Sequence, residues 1–197
     1  MMLPEKIREA VRENRKMTAD EYFQLPETNI HMELIDGVLY VYDGQDGNMP
    51  APKDLHQKIS SRLFIFLAKY LNADQLRHAP CDIKLDDGYV VQPDILWINP
   101  DSDRCVLMDD GYLHGAPDFI IEILSPNNTR RDKIDKFYLY EKHGVREYWI
   151  VNPEEQYIEV YISENDTFHW LGGYKLGQSF NSPILNGATI DVSALLG

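Results

Sequence analysis

The chain has 197 residues, 44% of them hydrophobic and 26% charged, which suits a globular protein with one sizeable core and excludes disordered or fibrous classes. Cys81 and Cys105 have no metal-ligand spacing, no signal-peptide pattern opens the chain, and no apolar stretch nears the roughly 18 residues of a membrane span. A soluble, cytoplasmic protein from a reducing compartment is expected, and its net charge of −13 repels nucleic acid at long range without settling what a local patch binds.

Residues 1–17 read as a hydrophilic lead-in helix, and 18–197 as a single domain. Thr18 and Glu21 form a capping-box pattern that starts a short helix ending before Pro26. Asp36-Gly37, between apolar-rich runs, predicts a β-hairpin. A Gly/Pro-punctuated loop covers 44–53. Leu55, Ile59, Leu63, Phe66 and Tyr70 then mark the buried stripe of a long helix over about 53–72. Strands are expected around 77–85 and 89–97, joined at Asp86-Asp87-Gly88. QYIEVYIS and TFHWLGGYK form a C-terminal meander turning at Glu164-Asn165-Asp166, and the tail from Ile184 packs on the body.

The central stretch is Gln92 to Val151. QPDILWI and PDFIIEILSP are apolar runs carrying carboxylates, and the charged helix RRDKIDKFYLYEKHG leads to a third run, REYWIVNP. Apolar runs of this length around a helical pattern predict buried strands joined by a crossover helix. The fold class is therefore α/β, or mixed α+β, with a mixed sheet flanked by helices. Between residues 130 and 146, six basic side chains meet three acidic ones. That segment carries +3 and leaves −16 for the remainder. Charge runs of this kind are also what a solvated helix face shows.

Core packing does not explain Asp94 and Glu122. Residues i and i+2 of a strand share a face, so Gln92 points with Asp94, and Asp118 with Glu122. Asp118 and Glu122 stand about 13 Å apart along one strand, too far to share an ion. On neighbouring strands, Asp94 and Glu122 come within about 4.8 Å of backbone spacing. Such a pair repels, and a divalent cation with hard oxygen ligands, Mg²⁺ or Mn²⁺, resolves the repulsion. Carboxylates that cap strand ends or pair with Arg give the same pattern, and spacing alone leaves both readings open.

The ordered set ELIDG, QPDI, GAPDFIIEILSP, D-x-x-x-K and GVREYWIVNP resembles the bacterial family labelled putative restriction endonucleases, a branch of the PD-(D/E)XK nuclease superfamily. The likeness spans about residues 18–190. It implies a restriction-endonuclease-like core, a mixed β-sheet flanked by helices with metal-bound carboxylates at its centre. Pro93-Asp94 matches the PD, and Glu122 the second acidic residue. The superfamily places a lysine two residues after that acid, where this chain has Leu124. The family's lysine has moved to the next helix, which matches Lys136, with Lys133 the lesser candidate. Lys136 also stands four residues after Asp132, the spacing of an ordinary helix ion pair. The resemblance adds Glu33 as a further catalytic residue holding metal or water. It also matches His56, which reads as a structural histidine. Gln92 orders the site rather than ligating, and Tyr140, with Tyr138, Tyr148 and Trp149, reads as core.

The expected function is therefore a Mg²⁺-dependent endonuclease cutting nucleic acid, DNA first, through Asp94, Glu122, Lys136 and Glu33, with Asp94 and Glu122 on the metal. Two other readings compete. One is a non-catalytic binding or assembly module on a nuclease fold, suggested by Leu124 and the net charge. The other is a metal-dependent hydrolase of small phosphodiesters. Cleavage of both strands of a duplex, together with apolar, mostly aromatic residues of the meander (Tyr157, Val160, Tyr161, Phe168, Trp170 and Tyr174), leads to the expectation of a homodimer.

Overall fold

A computed structural model describes residues 3–42, 54–125 and 130–197, with 130–132 described in backbone only. The expected loop over 44–53 lies outside the described residues. In chain order the elements are α1 (Glu5–Glu13), α2 (Ala19–Phe23), β1 (His31–Ile35), β2 (Val38–Tyr42), α3 (Asp54–Leu67), β3 (Leu76–His78), β4 (Ile83–Asp86), β5 (Tyr89–Val91), β6 (Ile95–Trp97), β7 (Cys105–Leu107) and β8 (Leu113–Gly115). They continue with β9 (Phe119–Ile123), α4 (Arg130–Lys142), β10 (Glu147–Asn152), β11 (Tyr157–Glu164), β12 (Thr167–Lys175), β13 (Ser179–Ser182), β14 (Ala188–Asp191) and α5 (Val192–Leu196). The fold is mixed α+β, with two six-stranded mixed sheets flanked by helices. Contacts divide the chain into two compact units.

The first unit holds residues 1–51, 80–92 and 106–115. Its sheet runs β2-β1-β5-β4-β8-β7. The β1–β2 hairpin turns at Asp36 (φ 51°) and Gly37 (φ 75°). Positive φ at both positions gives the turn whose twist matches paired strands, and Asp-Gly is the sequence that tolerates it. Thr18 caps α2 with both bonds of a capping box, Glu21 N donating to Thr18 Oγ1 at 3.2 Å and Thr18 N to Glu21 Oε2 at 2.9 Å. The lead-in helix α1 is packed, burying Ile7 and Ala10 with Tyr22, Met32, Leu34 and Val90.

The second unit holds residues 52–79, 93–105 and 116–197. Its sheet runs β12-β11-β10-β9-β6-β3. β9 and β10 pair in parallel, Ile121 opposite Trp149 and Glu122 opposite Ile150, and α4 makes the crossover. All five residues of β9 are buried, as a strand covered on both faces requires. One face sends Phe119, Ile121 and Ile123 against Ile59, Leu63 and Leu67 of α3 and Leu195 of α5. The pleat turns Ile120 and Glu122 to the other face.

Four expectations change. The strands foreseen over 77–85 and 89–97 are each two short strands, and the halves belong to different sheets. Pro80 and Pro93 fall at the breaks, where a residue without an N–H interrupts a ladder. Gln92 therefore does not share a strand with Asp94. The α3 stripe is Ile59, Leu63 and Leu67, whereas Leu55 and Tyr70 are exposed, because α3 ends at Leu67 and Tyr70 lies past its last turn. Tyr138 is 62% exposed rather than core. The meander turns at Asn165 and Asp166, both at positive φ, but it does not present a continuous aromatic face. Val160 and Phe168 are buried, and Trp170 is exposed. The pairing of Val160 with Gly172 and of Tyr161 with Trp170 leaves Leu171 as the extra residue of a bulge, and bulges re-aim side chains along a strand. Neither Cys81 nor Cys105 is in a disulfide. Among the described residues no helix is long and apolar enough to cross a membrane.

Candidate active site

Four elements of the second unit, β6, β9, α3 and α4, build the site. β6 and β9 pair antiparallel, with Ile95 opposite Ile121 and Leu96 opposite Ile120. Continuing that register by one residue sets Asp94 opposite Glu122, so two carboxylates from separate apolar runs meet at one end of the sheet. The main chain also shapes Asp94. Its carbonyl accepts from Ala79 N at 3.0 Å, and its Oδ2 accepts from Ile123 N at 2.7 Å. A carboxylate held by a backbone N–H of the adjacent strand is fixed in rotamer.

Each carboxylate has its own basic neighbour. His56 Nε2 stands 3.2 Å from Asp94 Oδ1. His56 is three residues before Ile59 and seven before Leu63, so it continues the buried stripe of α3 and reaches the strand ends. Burial of the ring works against its charge, but the hydrogen bond to Asp94 and that carboxylate's charge outweigh it, and the His56 pKa lies above its ordinary 6.5. The ring's Nδ1 is buried without a well-formed hydrogen bond among the described residues.

Glu122 meets α4. Lys136 Nζ donates to Glu122 Oε1 at 3.0 Å, and Tyr140 Oη donates to the same oxygen at 2.6 Å. Lys136 and Tyr140 are four residues apart and so lie on one face of the helix. Tyr140 is fully buried and packs edge-on against Tyr148 at 5.2 Å. The Glu122 and Lys136 side chains are 11% and 18% exposed, so this ion pair is largely removed from water. The strand thus lacks a lysine at Leu124, and an ammonium arrives on Glu122 from the crossover helix. The side chain of Asp132, the alternative partner of Lys136, lies outside the described residues. Lys133 is engaged elsewhere, its Nζ 2.6 Å from Glu159 Oε2 and near the Tyr157 ring.

Two other sequence candidates, Glu33 and Gln92, lie in the first unit. Glu33 is 1% exposed; its Oε1 accepts from Gln92 N at 3.1 Å and its Oε2 from Tyr42 Oη at 3.1 Å. Gln92 Nε2 donates to Asp82 Oδ1 at 2.7 Å. Asp118 pairs with Arg146 (3.2 Å) at the opposite end of β9 from Glu122. The contacts of His56 and Tyr140 with the two carboxylates were not read from the sequence. Their signals are there: His56 stands on the α3 stripe, and Tyr140 one helical turn after Lys136.

Among the described residues, no group of three or more His, Cys, Asp or Glu side chains is arranged as a metal cage. The donor set still fits Mg²⁺ or Mn²⁺. These hard ions are commonly held by one or two carboxylates, with water and substrate phosphate completing the shell. Asp94 and Glu122 supply that pair, and the Lys136 ammonium on Glu122 offsets part of the repulsion between them.

Comparison with known proteins then places the chain. The Uma2 family model, described as "Putative restriction endonuclease", matches residues 19–193. The chain belongs to the Uma2 family. All the residues just described on β6, β9, α3 and α4 fall inside the Uma2 match. The chain is also 26% identical over 162 residues to the uncharacterized protein slr1290 of Synechocystis, covering 79% of this chain and 78% of that one. Its fold is similar to the crystal structure of a "putative nuclease belonging to DUF820" from Anabaena variabilis. The TM-score is 0.69 at 22% identity, covering 91% of this chain and 97% of that one. Family and fold together mark a nuclease-like protein.

Proposed function

We propose that this Uma2 protein is a divalent-metal-dependent endonuclease that hydrolyses phosphodiester bonds of nucleic acid, with DNA as the substrate and the cytoplasm as its compartment. The observation that carries the reading is the junction of Asp94, Glu122 and Lys136 at one end of β6 and β9, with Lys136 Nζ 3.0 Å from Glu122 Oε1. Asp94 and Glu122 would hold Mg²⁺ or Mn²⁺. When bound, the ion supplies an activated water and polarises the phosphoryl oxygens. Lys136 orients the attacking water and offsets negative charge that grows on the phosphoryl oxygens in the transition state. Ile123 N and His56 fix Asp94, and Tyr140 fixes Glu122. The carboxylates are thereby oriented before substrate arrives, which lowers the ordering that reaction would otherwise require. Glu33, of the first unit, is proposed as an accessory acid for water or metal. Cleavage of both strands of a duplex needs two such sites, and a homodimer is the simplest way to supply them.

Calorimetric titration with Mn²⁺ tests the metal pair. Binding in the wild type should largely disappear in Asp94→Ala and in Glu122→Ala. Undiminished binding in both variants would remove the assignment. The net charge of −13 favours a second substrate class, small phosphodiesters, which an acidic surface repels less than a polyanion. Turnover of bis(p-nitrophenyl) phosphate without any cleavage of DNA would select it.

A further inference from the structure

The first unit contains a cavity of about 710 Å³, within the size range of small-ligand sites. One part of its wall is aromatic. The rings of Phe23 and Tyr112 are stacked, with centroids 3.8 Å apart and planes at 18°, and Tyr22 meets Phe23 edge-on at 5.5 Å. Two other lining residues, Asp82 and Gln92, bring polar atoms. Asp82 Oδ1 accepts from Tyr22 Oη at 3.2 Å and from Gln92 Nε2 at 2.7 Å. Asp82 Oδ2 and Gln92 Oε1 accept no hydrogen bond among the described residues. Both are acceptors on adjoining side chains. Glu27 adds a second carboxylate to the lining, and among the described residues no Lys, Arg or His lines the cavity. His31 lies close enough to act on Asp82 when protonated, but its Nε2 stands 3.7 Å from Glu33.

Charge and geometry together narrow the ligand. A nucleotide or other phosphate would enter a cavity with two carboxylates and no lining cation. A neutral apolar ligand would strand the acceptors of Asp82 and Gln92 away from water. A planar cation suits both the aromatic and the acceptor parts of the wall: its face stacks on an aromatic ring, and its in-plane N–H groups reach two acceptors. Burial holds the Asp82 carboxyl above its ordinary range, so an entering cation also relieves a cost the folded protein already bears. We infer that this cavity is a recognition site for a guanidinium group, presented by a small molecule or by an arginine of a partner chain, with Asp82 and Gln92 as acceptors and the Phe23–Tyr112 pair as the stacking wall. The inference does not rest on the nuclease reading.

The full-length protein is titrated by calorimetry with agmatine, with a blocked Gly-Arg-Gly tripeptide, and with the same tripeptide carrying citrulline or lysine in place of arginine. The arginine peptide should bind about tenfold or more tightly than its neutral, isosteric citrulline counterpart, and more tightly than the lysine one. Asp82→Asn keeps an acceptor for Tyr22 and Gln92 and should weaken binding about tenfold, a loss typical of removing charge from a desolvated contact. Tyr112→Leu keeps apolar bulk without the ring and should weaken it independently, so a folding defect in one variant leaves the other to decide. Agmatine equal to the peptide assigns a small free ligand, and a clearly tighter peptide assigns a partner chain. Equal binding of the citrulline peptide, binding of deoxynucleosides in place of guanidinium compounds, or no binding of any of them overturns the site.

Discussion

The Lys136–Glu122 pair makes a quantitative demand on stability. Were Lys136 paired with Asp132 along an exposed helix face, removing it would cost a few tenths of a kcal/mol. Its observed partner is Glu122, and the two side chains are only 18% and 11% exposed. Lys136→Met keeps the aliphatic stem and removes the charge, leaving a nearly buried carboxylate with Tyr140 Oη at 2.6 Å as the donor on Oε1. Breaking a buried pair on one side costs about 3–5 kcal/mol, and some access to water lowers this to about 2–4 kcal/mol. Glu122→Gln should cost less, about 1 kcal/mol, because a flexible ammonium can turn toward water and an amide oxygen can still accept from Tyr140. The double variant removes both charges of the pair and should be more stable than Lys136→Met alone, with a coupling of about 1–3 kcal/mol. Urea unfolding of the four proteins, followed by tryptophan fluorescence, gives the cycle. A cost below about 0.5 kcal/mol for Lys136→Met, or single effects that simply add, would refute a buried pair at this position.

Three further outcomes are expected. Lys136→Arg should not restore cleavage, because a planar guanidinium does not replace a compact ammonium at a single carboxylate oxygen; wild-type activity in this variant would count against the role of Lys136. Glu147 is 1% exposed, and burial raises its pKa above 4.5 despite hydrogen bonds from Ile184 N, Ser182 Oγ and Trp149 Nε1. Folding therefore favours its protonated form, so wild type should gain stability relative to Glu147→Gln as pH falls from above the raised value to 4.5 and gain no more below it; a gap that widens with rising pH would contradict the sign. Light scattering should give twice the 22.9 kDa chain mass at micromolar concentration, and a monomer mass would exclude the homodimer.

Some of this architecture was legible in the residues because their physics is local. Runs such as Phe119–Ile123 and Glu147–Asn152 are too apolar to be anything but buried, and parallel pairing across a helix is their ordinary arrangement. Asp36-Gly37 and Asn165-Asp166 announce their turns through the backbone conformations they tolerate. The strands β7 and β8 are three residues each, too short to show a period, and they exist because neighbouring strands complete them. The split at Pro80 and Pro93 was visible as two prolines, but the move of each half to a different sheet is decided by tertiary packing. At the site, apolar context singled out Asp94 and Glu122, whereas Lys136 and Glu33 came only through the family likeness. No pattern says which carboxylate a helical lysine reaches fourteen residues away. His56 and Tyr140 were read as ordinary structural residues because each sits on a face that packs, and packing is how each reaches its carboxylate.

The central claim is that Asp94, Glu122 and Lys136 cut DNA with a divalent ion. Supercoiled plasmid incubated with Mg²⁺ or Mn²⁺ tests it directly. Wild type should nick and linearise the plasmid and stop when EDTA is added, while folded Asp94→Ala, Glu122→Ala and Lys136→Ala should each lose at least about a hundredfold in rate. Plasmid left intact by the wild type, or cleaved as fast by these variants, would contradict the account.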